Sequence, residues 1–546
     1  MKRKAVAAVL TAVMVASMFT GCGSDNGSSS AKSASAASAA SAANDTVDED
    51  GKVNGIMYQE GLPLVDEGDY TFSIFCDDSS ESGEFIMLDE FKKQTNVDVD
   101  LKIYPSETAT ERLNLDLNSG DYADVIGGWT LSDNAILTYG VNQGVFIPLE
   151  DYFEKYCPNI SAILDLPGVR EKMTAPDGHI YTIPYVCTDT TVGYSPYINT
   201  KWLENVGMSM PTTTDEFEAV LKAFKEQDAN GNGDASDEIP FSTDPNNKHI
   251  EAMAGYFGLP MNKLGIAIQN EKVVYGGVSD TYREFLSWFH KLYAEGLVDV
   301  ELYTQDSSTW EGKGNQDLYG VSIAYGSNEF TGIPAAEERG DFDSMPVLNT
   351  DKDGIWLRDT EGFSVYRTQA VITNKAEHPE IICRWFDNAF ALENGIGCNR
   401  GPVGVIVNKE DDGYHAIDTT TLSEEDQEKY SWGNLWPQSL PKYLPVDFEF
   451  VEEHPMYDEK KATEEAYEAN LTKEIIPSYW IDLDKIDTFS DTNTAIKDFF
   501  EQQQAQFVCG ELDIDNDADW QAYVDGMYSL GLEDWVATQG IEEIAK

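Results

Sequence analysis

The chain has 546 residues, 97 of them acidic and 37 basic, which gives a formal net charge of -60. This charge repels nucleic acid and argues against electrostatic binding to anionic lipid headgroups, so neither class of partner is expected. Aromatic residues form 11% of the chain, unlike a disordered acidic tail. We therefore expect a folded protein, and its net charge should keep it in solution.

The first 21 residues have the pattern of a secretory signal. Lys2, Arg3 and Lys4 precede an apolar run over 5–19 that is too short for a confident membrane span. Thr20-Gly21-Cys22 then resembles the lipobox of bacterial lipoproteins, with Phe19 where that motif usually has Leu. The resemblance implies cleavage before Cys22 and acyl chains such as palmitate on the new terminus. A secreted protein cut at another small residue is the alternative.

Residues 22–55 are predicted to be a flexible linker. From 23 to 44 they are mostly Gly, Ser and Ala, with no large apolar side chain to offset the entropy of ordering. We expect a lipid anchor to hold the protein at the extracellular face of the cell membrane. The remaining residues, about 490, exceed one hydrophobic core and indicate two or more lobes.

Strand and helix patterns alternate after the linker. The alternation predicts a parallel sheet covered by helices, with ligands bound beyond the carboxyl ends of its strands. Gly127-Gly128-Trp129 follows a predicted strand at such an end, so Trp129 is a candidate ligand platform. The apolar stripe that includes Phe217 and Phe224 predicts a helix packed on a core. The predicted strands are 70–76, 97–104 and 123–126, and the helices are 84–95 and 108–118.

Several segments resemble the extracellular solute-binding proteins of ABC transporters, family 1, especially its long oligosaccharide-binding lipoprotein branch. They follow one another in the family's order over about 66–540. These segments are 144–152 (GVFIPLEDY), 177–184 (DGHIYTIP), 197–213, 215–225, 291–298, 372–387 and 507–531.

The resemblance implies an α/β fold of the periplasmic-binding-protein-like type II class. Two α/β lobes are joined by a hinge and enclose an interlobe ligand cleft. Lobe one is expected over 56–186 and 364–408, and lobe two over 187–363 and 409–546. Closing of the lobes around a ligand is the motion that this architecture implies.

The segment 228–238 (DANGNGDASDE) resembles an EF-hand calcium loop. Oxygen-bearing side chains alternate before Gly233, which permits the sharp turn. Ile239 stands where an EF-hand has its last glutamate, so the resemblance implies that an earlier acidic pair replaces it. A polar turn without an ion is the alternative. The expected ligands of a structural Ca²⁺ are Asp228, Asn230, Asn232, Asp234, Asp237 and Glu238.

Sugar sites pair aromatic faces with hydrogen-bonding side chains. The ligand-binding residues that we predict, all aromatic and placed on loops or strand ends, are Trp129, Tyr185, Trp310, Tyr325, Trp432 and Trp436. Each of them could equally be a core residue. Trp356 is a further candidate, and the polar candidates are Asp189, Asn328, Glu329, Arg400 and Gln438.

No catalytic or zinc motif is present, and no CxxC pair occurs. We favour free buried thiols at the six remaining cysteines, without excluding disulfides. The resemblance implies a monomeric, non-enzymatic binding protein that delivers a carbohydrate to the transmembrane subunits of an ABC permease. The alternatives are a peptide or other small solute as cargo, a sensor for a membrane receptor, and a secreted glycoside hydrolase.

Overall fold

The computed structural model describes residues 45–78, 84–245, 249–332, 341–417, 419–445, 448, 450–451 and 455–545. The predicted signal peptide, Cys22 and the linker up to 44 lie outside these residues. The strands are β1 (Lys52–Val53), β2 (Met57–Tyr58), β3 (Tyr70–Asp77), β4 (Val97–Tyr104), β5 (Val125–Gly127), β6 (Thr182–Thr188), β7 (Ser195–Asn199), β8 (Ile239–Thr243), β9 (Ile266–Gln269), β10 (Lys272–Tyr275), β11 (Tyr319–Ala324), β12 (Phe342–Ser344), β13 (Phe363–Ile372), β14 (Val407–Glu410), β15 (Gly413–Ala416) and β16 (Glu543–Ile544).

Helices surround these strands, and most begin at a capping side chain or a proline. Thr213, for example, accepts a hydrogen bond from the backbone N–H of Glu216 and starts a helix that buries Phe217, Val220 and Phe224. The α-helices are Ile86–Thr95, Ser106–Ser119, Asp133–Ala135, Glu150–Tyr156, Pro158–Leu164, Val169–Met173, Thr200–Val206, Thr214–Glu226, Asp280–Ala294, Ser307–Asn315, Asn328–Thr331, Pro379–Ala389, Leu392–Arg400, Glu424–Lys429, Pro455–Tyr467, Ile486–Cys509, Asp517–Ser529 and Leu532–Thr538, with a π-helix at Ile136–Asn142 and 3₁₀ turns at Ile250–Phe257, Thr419–Thr421, Trp432–Asn434, Glu468–Asn470 and Leu483–Lys485.

Lobe one is built on a five-stranded sheet in the order β4-β3-β5-β13-β6. β3 runs parallel to β4 and β5, as the alternation predicts, while β13 pairs antiparallel with β5 and β6. Ile74 packs into the core on one face of the sheet and Phe75 into the core on the other. Apolar residues on both faces let helices cover the sheet completely.

Lobe two contains a four-stranded sheet in the order β12-β7-β11-β8 and a three-stranded sheet in the order β16-β10-β9. Its core is the largest apolar cluster described, and it includes the buried stripe Tyr282, Phe285 and Phe289 of the helix Asp280–Ala294. The chain leaves the lobe-one sheet after β6, enters the lobe-two sheet at β7 and returns at β13. Both lobes are α/β, and the chain crosses between them in the segments that join these strands.

The second part of lobe one extends beyond the expected end at residue 408. Trp436 and Leu440 are buried in the lobe-one core, and the backbone N–H of Gln438 donates to Asp78 Oδ2 at 2.8 Å. The segment 436–440 therefore packs with lobe one, beyond the expected boundary. The helix Pro455–Tyr467 that follows packs with lobe two, where Tyr467 joins the core.

The end of the predicted linker is also folded. β1 and β2 form a hairpin, and Val53 and Met57 are fully buried in the lobe-one core. Tyr156 donates its hydroxyl to Asp45 Oδ2 at 2.8 Å. Two apolar side chains in an otherwise polar segment are enough to dock it, so the folded part begins by Asp45 and not at residue 56.

The six cysteines of the described region are free thiols, and all except Cys187 and Cys509 are buried. Within the same residues, no helix is both long and apolar enough to cross a membrane.

Candidate functional site

The Gly127-Gly128-Trp129 turn lies at the carboxyl end of β5, as predicted from the sequence. Asp77, at the end of β3, accepts the backbone N–H groups of Trp129 at 2.8 Å and Thr130 at 2.7 Å. Gly128 has φ +126°, and a Cβ there would lie 1.8 Å from Asp77 Oδ1. Only glycine permits this close approach. The turn presents Trp129 with 53% of its surface exposed.

Two tyrosines complete an aromatic surface with Trp129. Tyr185 of β6 and Tyr366 of β13 are paired across the two strands, and their rings stack at 5.5 Å and 23°. The ring of Trp129 meets Tyr366 edge-on at 5.4 Å and Tyr185 at 6.4 Å. We call Trp129, Tyr185 and Tyr366 the aromatic wall. Trp129 and Tyr185 were predicted as ligand residues, and Tyr366 was not.

Beside the aromatic wall lies a group of ionisable side chains that we call the hinge cluster: Asp189, Tyr325, Glu329, Asp359 and Lys460. Asp189 directly follows β6, and Tyr325 follows β11 of lobe two. Lys460 Nζ lies 3.8 Å from the centre of the Tyr325 ring and donates to the backbone oxygen of Gly193 at 2.7 Å. Asp359 Oδ2 accepts from the backbone N–H of Gly193 at 2.7 Å.

Burial shifts the titration of three members of the hinge cluster. Burial raises the pKa of Glu329 to about 7, although the backbone N–H of Tyr325 donates to its carboxylate at 2.9 Å. Burial likewise raises the pKa of Asp359 to about 6. The pKa of Lys460 is lowered to about 8 by burial, against the opposite effect of Glu329, Glu459, Asp189 and Asp359. These groups titrate near neutral pH because the site is largely removed from water.

Three of the predicted platforms, Trp310, Trp356 and Trp436, are buried core residues in the structure. Trp310 is 3% exposed, and its Nε1 donates to Ser322 Oγ at 3.1 Å. Trp436 is fully buried between Phe91 and Trp385 of lobe one. Trp356 packs against Tyr256 and Tyr467 in lobe two. Each fills the interior of its lobe, where its large apolar area stabilises the fold.

Trp432 is exposed to 53% on the turn Trp432–Asn434. Its ring lies 5.3 Å from Nζ of Lys442, a buried lysine whose pKa burial lowers to about 8. Gln438 Nε2 donates to the backbone oxygen of Trp432 at 2.9 Å. Trp432, Lys442 and Gln438 therefore form one contact group on lobe one.

Sequence reasoning missed Tyr366, Tyr194, Asp359 and Lys460. Tyr194 stacks on His249 at 4.1 Å and meets Tyr325 edge-on at 6.0 Å. A signal for Tyr366 was present, since it lies at the start of 364–408, the expected second part of lobe one. For Lys460 the sequence offers no such signal, because a lysine on a helix rich in charged residues is usually exposed.

The loop 228–238 has the shape of a cation-binding turn. Gly231 and Gly233 have φ +74° and +94°, and the backbone N–H of Gly233 donates to Asp228 Oδ2 at 3.0 Å. The side-chain amides of Asn230 and Asn232 donate to Asp237. Asp228 Oδ1 and Glu238 Oε2 are buried without a hydrogen-bond partner. Two orphaned carboxylate oxygens in one loop fit the oxygen ligands that Ca²⁺ prefers.

A second group of possible metal ligands lies on the β14–β15 hairpin. Glu410, Asp412 and His415 place one ligand atom each within 4.8 Å of one another. The two carboxylates are exposed, and His415 Nε2 lies 3.0 Å from Asp412 Oδ1 in an ordinary ion-pair geometry. This group is a far weaker candidate metal site than the loop 228–238, because none of its ligand atoms is buried without a hydrogen-bond partner.

Comparison with known proteins agrees with this geometry. A family model described as bacterial extracellular solute-binding protein matches residues 78–395. The fructooligosaccharide ABC transporter substrate-binding protein FusA of Streptococcus pneumoniae is 31% identical over 411 residues, which cover 73% of this chain and 70% of FusA. Lipoprotein LipO of Bacillus subtilis is 28% identical over 280 residues, which cover 50% of this chain and 52% of LipO.

Solved structures show the same architecture. FusA of Streptococcus pneumoniae in complex with kestose superposes with a TM-score of 0.76 at 26% identity, covering 86% of this chain and 98% of that one. The alginate-binding protein AlgQ2 without calcium ion has a TM-score of 0.71 at 22% identity, covering 88% and 99%, and supports the fold alone. The chain thus belongs to the bacterial extracellular solute-binding protein family, with its periplasmic-binding-protein-like fold of two α/β lobes around an interlobe cleft.

Proposed function

We propose that this protein captures an oligosaccharide between its lobes and delivers it to the permease of an ABC importer. The observation that carries the proposal is the aromatic wall, where half-exposed Trp129 stands against Tyr185 and Tyr366. Sugar rings present C–H faces that stack on aromatic rings, and their hydroxyls bind polar groups nearby. The hydroxyls of Tyr325 and Tyr366, which donate to Asp189, can still accept hydrogen bonds from sugar hydroxyls beside the wall. FusA, which binds fructooligosaccharide, is a relative over most of the chain.

The test is thermal melting of the full chain in detergent with and without defined ligands. The panel contains kestose, longer fructooligosaccharides, other neutral and acidic oligosaccharides, monosaccharides, polyols and short peptides. A ligand at 100 times its dissociation constant stabilises the folded state by about 2.7 kcal/mol, which gives a clear rise in melting temperature. We expect an oligosaccharide to give the largest rise and to remain intact after incubation.

Other outcomes separate the remaining functions. A rise with peptides or polyols and none with sugars would keep the fold and overturn the cargo. Cleavage of the sugar, abolished by one Asp or Glu substitution, would indicate a glycoside hydrolase. In cells that carry the permease encoded beside this protein's gene, ligand binding without ligand uptake would favour a sensor that reports to a membrane receptor.

The anchoring of the protein is part of the proposal. The signal-like residues 1–21 and the lipobox-like Cys22 support acylation at the extracellular face of the membrane, with a flexible linker between anchor and lobes. We also propose that the protein acts as a monomer. Labelling of cells with radioactive palmitate should mark the wild-type protein and not Cys22→Ser. Equal labelling of both would contradict the anchor.

We propose further that the loop 228–238 holds a structural Ca²⁺. Asp228 and Glu238 would supply carboxylate oxygens that are otherwise buried without partners, and Asn230, Asn232, Asp234 and Asp237 would complete the set. The loop joins the helix Thr214–Glu226 to β8, so the ion would fix one end of the lobe-two sheet. Glu238 packs into this turn, and its Oε1 accepts from the backbone N–H of Ala229 at 2.9 Å.

Chelation tests the calcium site. Elemental analysis should find calcium in the purified protein, and EDTA should lower the melting temperature by several degrees, reversibly. Glu238→Gln keeps the bond to Ala229 and should abolish the EDTA effect. Glu226→Gln changes an exposed carboxylate just before the loop and should leave that effect intact. A protein without calcium whose melting ignores EDTA would contradict the site.

A further inference from the structure

We propose that Asp189 is a positioning residue that latches the two lobes together across the hinge. Its carboxylate accepts hydrogen bonds from Tyr325 of lobe two and from Ser364 and Tyr366 of lobe one. The inference concerns the balance between open and closed lobes, so it goes beyond the cargo proposed above. The latch is a property of the protein without any sugar.

The carboxylate of Asp189 is saturated with donors. Oδ1 accepts from the backbone N–H of Thr190 at 2.8 Å and from the Tyr325 hydroxyl at 3.3 Å. Oδ2 accepts from Ser364 Oγ at 2.5 Å and from the Tyr366 hydroxyl at 3.2 Å. Hydrogen bonds to a charged acceptor are stronger than neutral ones, and a carboxylate has about four acceptor positions. This group therefore binds as many donors as it can.

Asp189 itself belongs to lobe one. It follows β6, and its backbone N–H donates to the oxygen of Gly362 at 3.1 Å, next to the start of β13. Ser364 and Tyr366 are residues of β13, so these three residues keep their spacing when the lobes separate. Tyr366 also stacks on Tyr185 and touches Trp129, so the same carboxylate orients the aromatic wall.

Tyr325 is fixed to lobe two. It follows β11, its backbone N–H donates to Glu329 Oε2 at 2.9 Å, and its oxygen accepts from the Tyr197 hydroxyl at 3.1 Å. Lys460, on the helix Pro455–Tyr467, lies over the face of its ring. The phenol therefore has one orientation, with its hydroxyl toward Asp189. Opening of the hinge moves this hydroxyl away from Asp189 and breaks that hydrogen bond, while the bonds from Ser364 and Tyr366 remain.

The experiment compares variants that remove different donors of the same carboxylate. Tyr325→Phe deletes the interlobe donor and keeps the ring beneath Lys460. Ser364→Ala is the matched control, because it deletes a donor within lobe one. Spin labels at Glu154→Cys in lobe one and Glu226→Cys in lobe two, both exposed, report the distance between the lobes. Cys22, the half-buried Cys187 and the exposed Cys509 are replaced by serine in every variant.

In the ligand-free protein we expect Tyr325→Phe to raise the ratio of open to closed molecules about tenfold, as loss of one hydrogen bond to a charged group should. Ser364→Ala should leave the distance distribution unchanged. Asp189→Asn keeps the size of the side chain, replaces two acceptor positions with donors and should open the lobes at least as much. Melting curves confirm that each variant is folded.

Identical distance distributions for the unsubstituted protein, Tyr325→Phe and Asp189→Asn would overturn the latch. An equal shift in Ser364→Ala would also overturn it, because the effect would then not depend on the interlobe bond. Neither result depends on a sugar, so the latch and the proposed function fail separately. A protein that binds no oligosaccharide but opens in Tyr325→Phe retains the latch and loses the cargo.

Discussion

The aromatic wall and the hinge cluster adjoin each other but differ in chemistry. The wall consists of three rings held by strand pairing and by the Gly128 turn, and its exposed ring, Trp129, carries no charge. The hinge cluster gathers three carboxylates around one ammonium group, and several of its members titrate near pH 7. In the functions proposed above, contact with a neutral ligand and control of the hinge therefore fall on separate groups of residues, and Asp189 contacts both groups.

Substitution of Trp310 should have the largest effect on stability, and it tests whether this residue belongs to the aromatic wall. Trp310 was a candidate platform, but it is buried against Phe330 in lobe two. Trp310→Ala should lower the free energy of unfolding by about 3–5 kcal/mol, because it leaves a cavity and an unpaired Ser322. Denaturant titration measures this loss. A stable Trp310→Ala protein with impaired ligand binding would place Trp310 in the binding surface. The contrast between the aromatic wall and the hinge cluster would then no longer hold.

Trp129→Ala should have the opposite profile. The ring is half exposed, so the free energy of unfolding should change by about 0.5 kcal/mol or less. Affinity for the oligosaccharide found by melting should fall about 30-fold, the effect of removing an aromatic anchor from an interface. Isothermal titration calorimetry measures the affinity. Unchanged affinity would show that the wall is not the ligand platform.

The ionisation of Glu329 in the hinge cluster should make the stability of the protein depend on pH. The pKa of Glu329 is raised in the folded state, so the folded protein binds the proton more tightly and loses stability as pH rises from about 4.5 to above 7. Glu329→Gln is neutral at every pH. It should raise the melting temperature by about 2–4 °C at pH 8, with the difference vanishing toward pH 5.

Glu226→Gln is the control for that series, because its carboxylate is exposed and should produce the same small change at both pH values. A Glu329→Gln effect that is equal at pH 8 and pH 5 would show that the substitution acts through packing and not through the charge. In its response to pH, the hinge cluster would then not differ from an ordinary polar surface.

Local patterns predicted much of the fold. The helix Thr214–Glu226 has its cap and apolar stripe in a single short segment, so its sequence is sufficient to place it. The turn at Trp129 was placed correctly because parallel strands bring their carboxyl ends to one edge. The periplasmic-binding-protein-like fold followed from the order of the segments, and the family comparison confirms it.

Contacts between distant segments could not be predicted. Trp129 and Trp436 look alike in the sequence, yet Trp436 fills a space between Phe91 and Trp385 that exists only in the folded lobe. For the same reason the sequence did not indicate that Gln438 and Ser439, beyond the expected boundary at 408, contact Asp77 and Asp78 of lobe one. Pairing of Tyr185 with Tyr366 required the register of β6 and β13.

The docked segment at the start of the described chain has a mechanical consequence. Val53 and Met57 are buried in lobe one, and Asn54 Nδ2 donates to Glu380 Oε1 at 2.9 Å. The segment from Asp45 to Met57 is therefore fixed to lobe one. A change in the angle between the lobes would carry this segment together with lobe one.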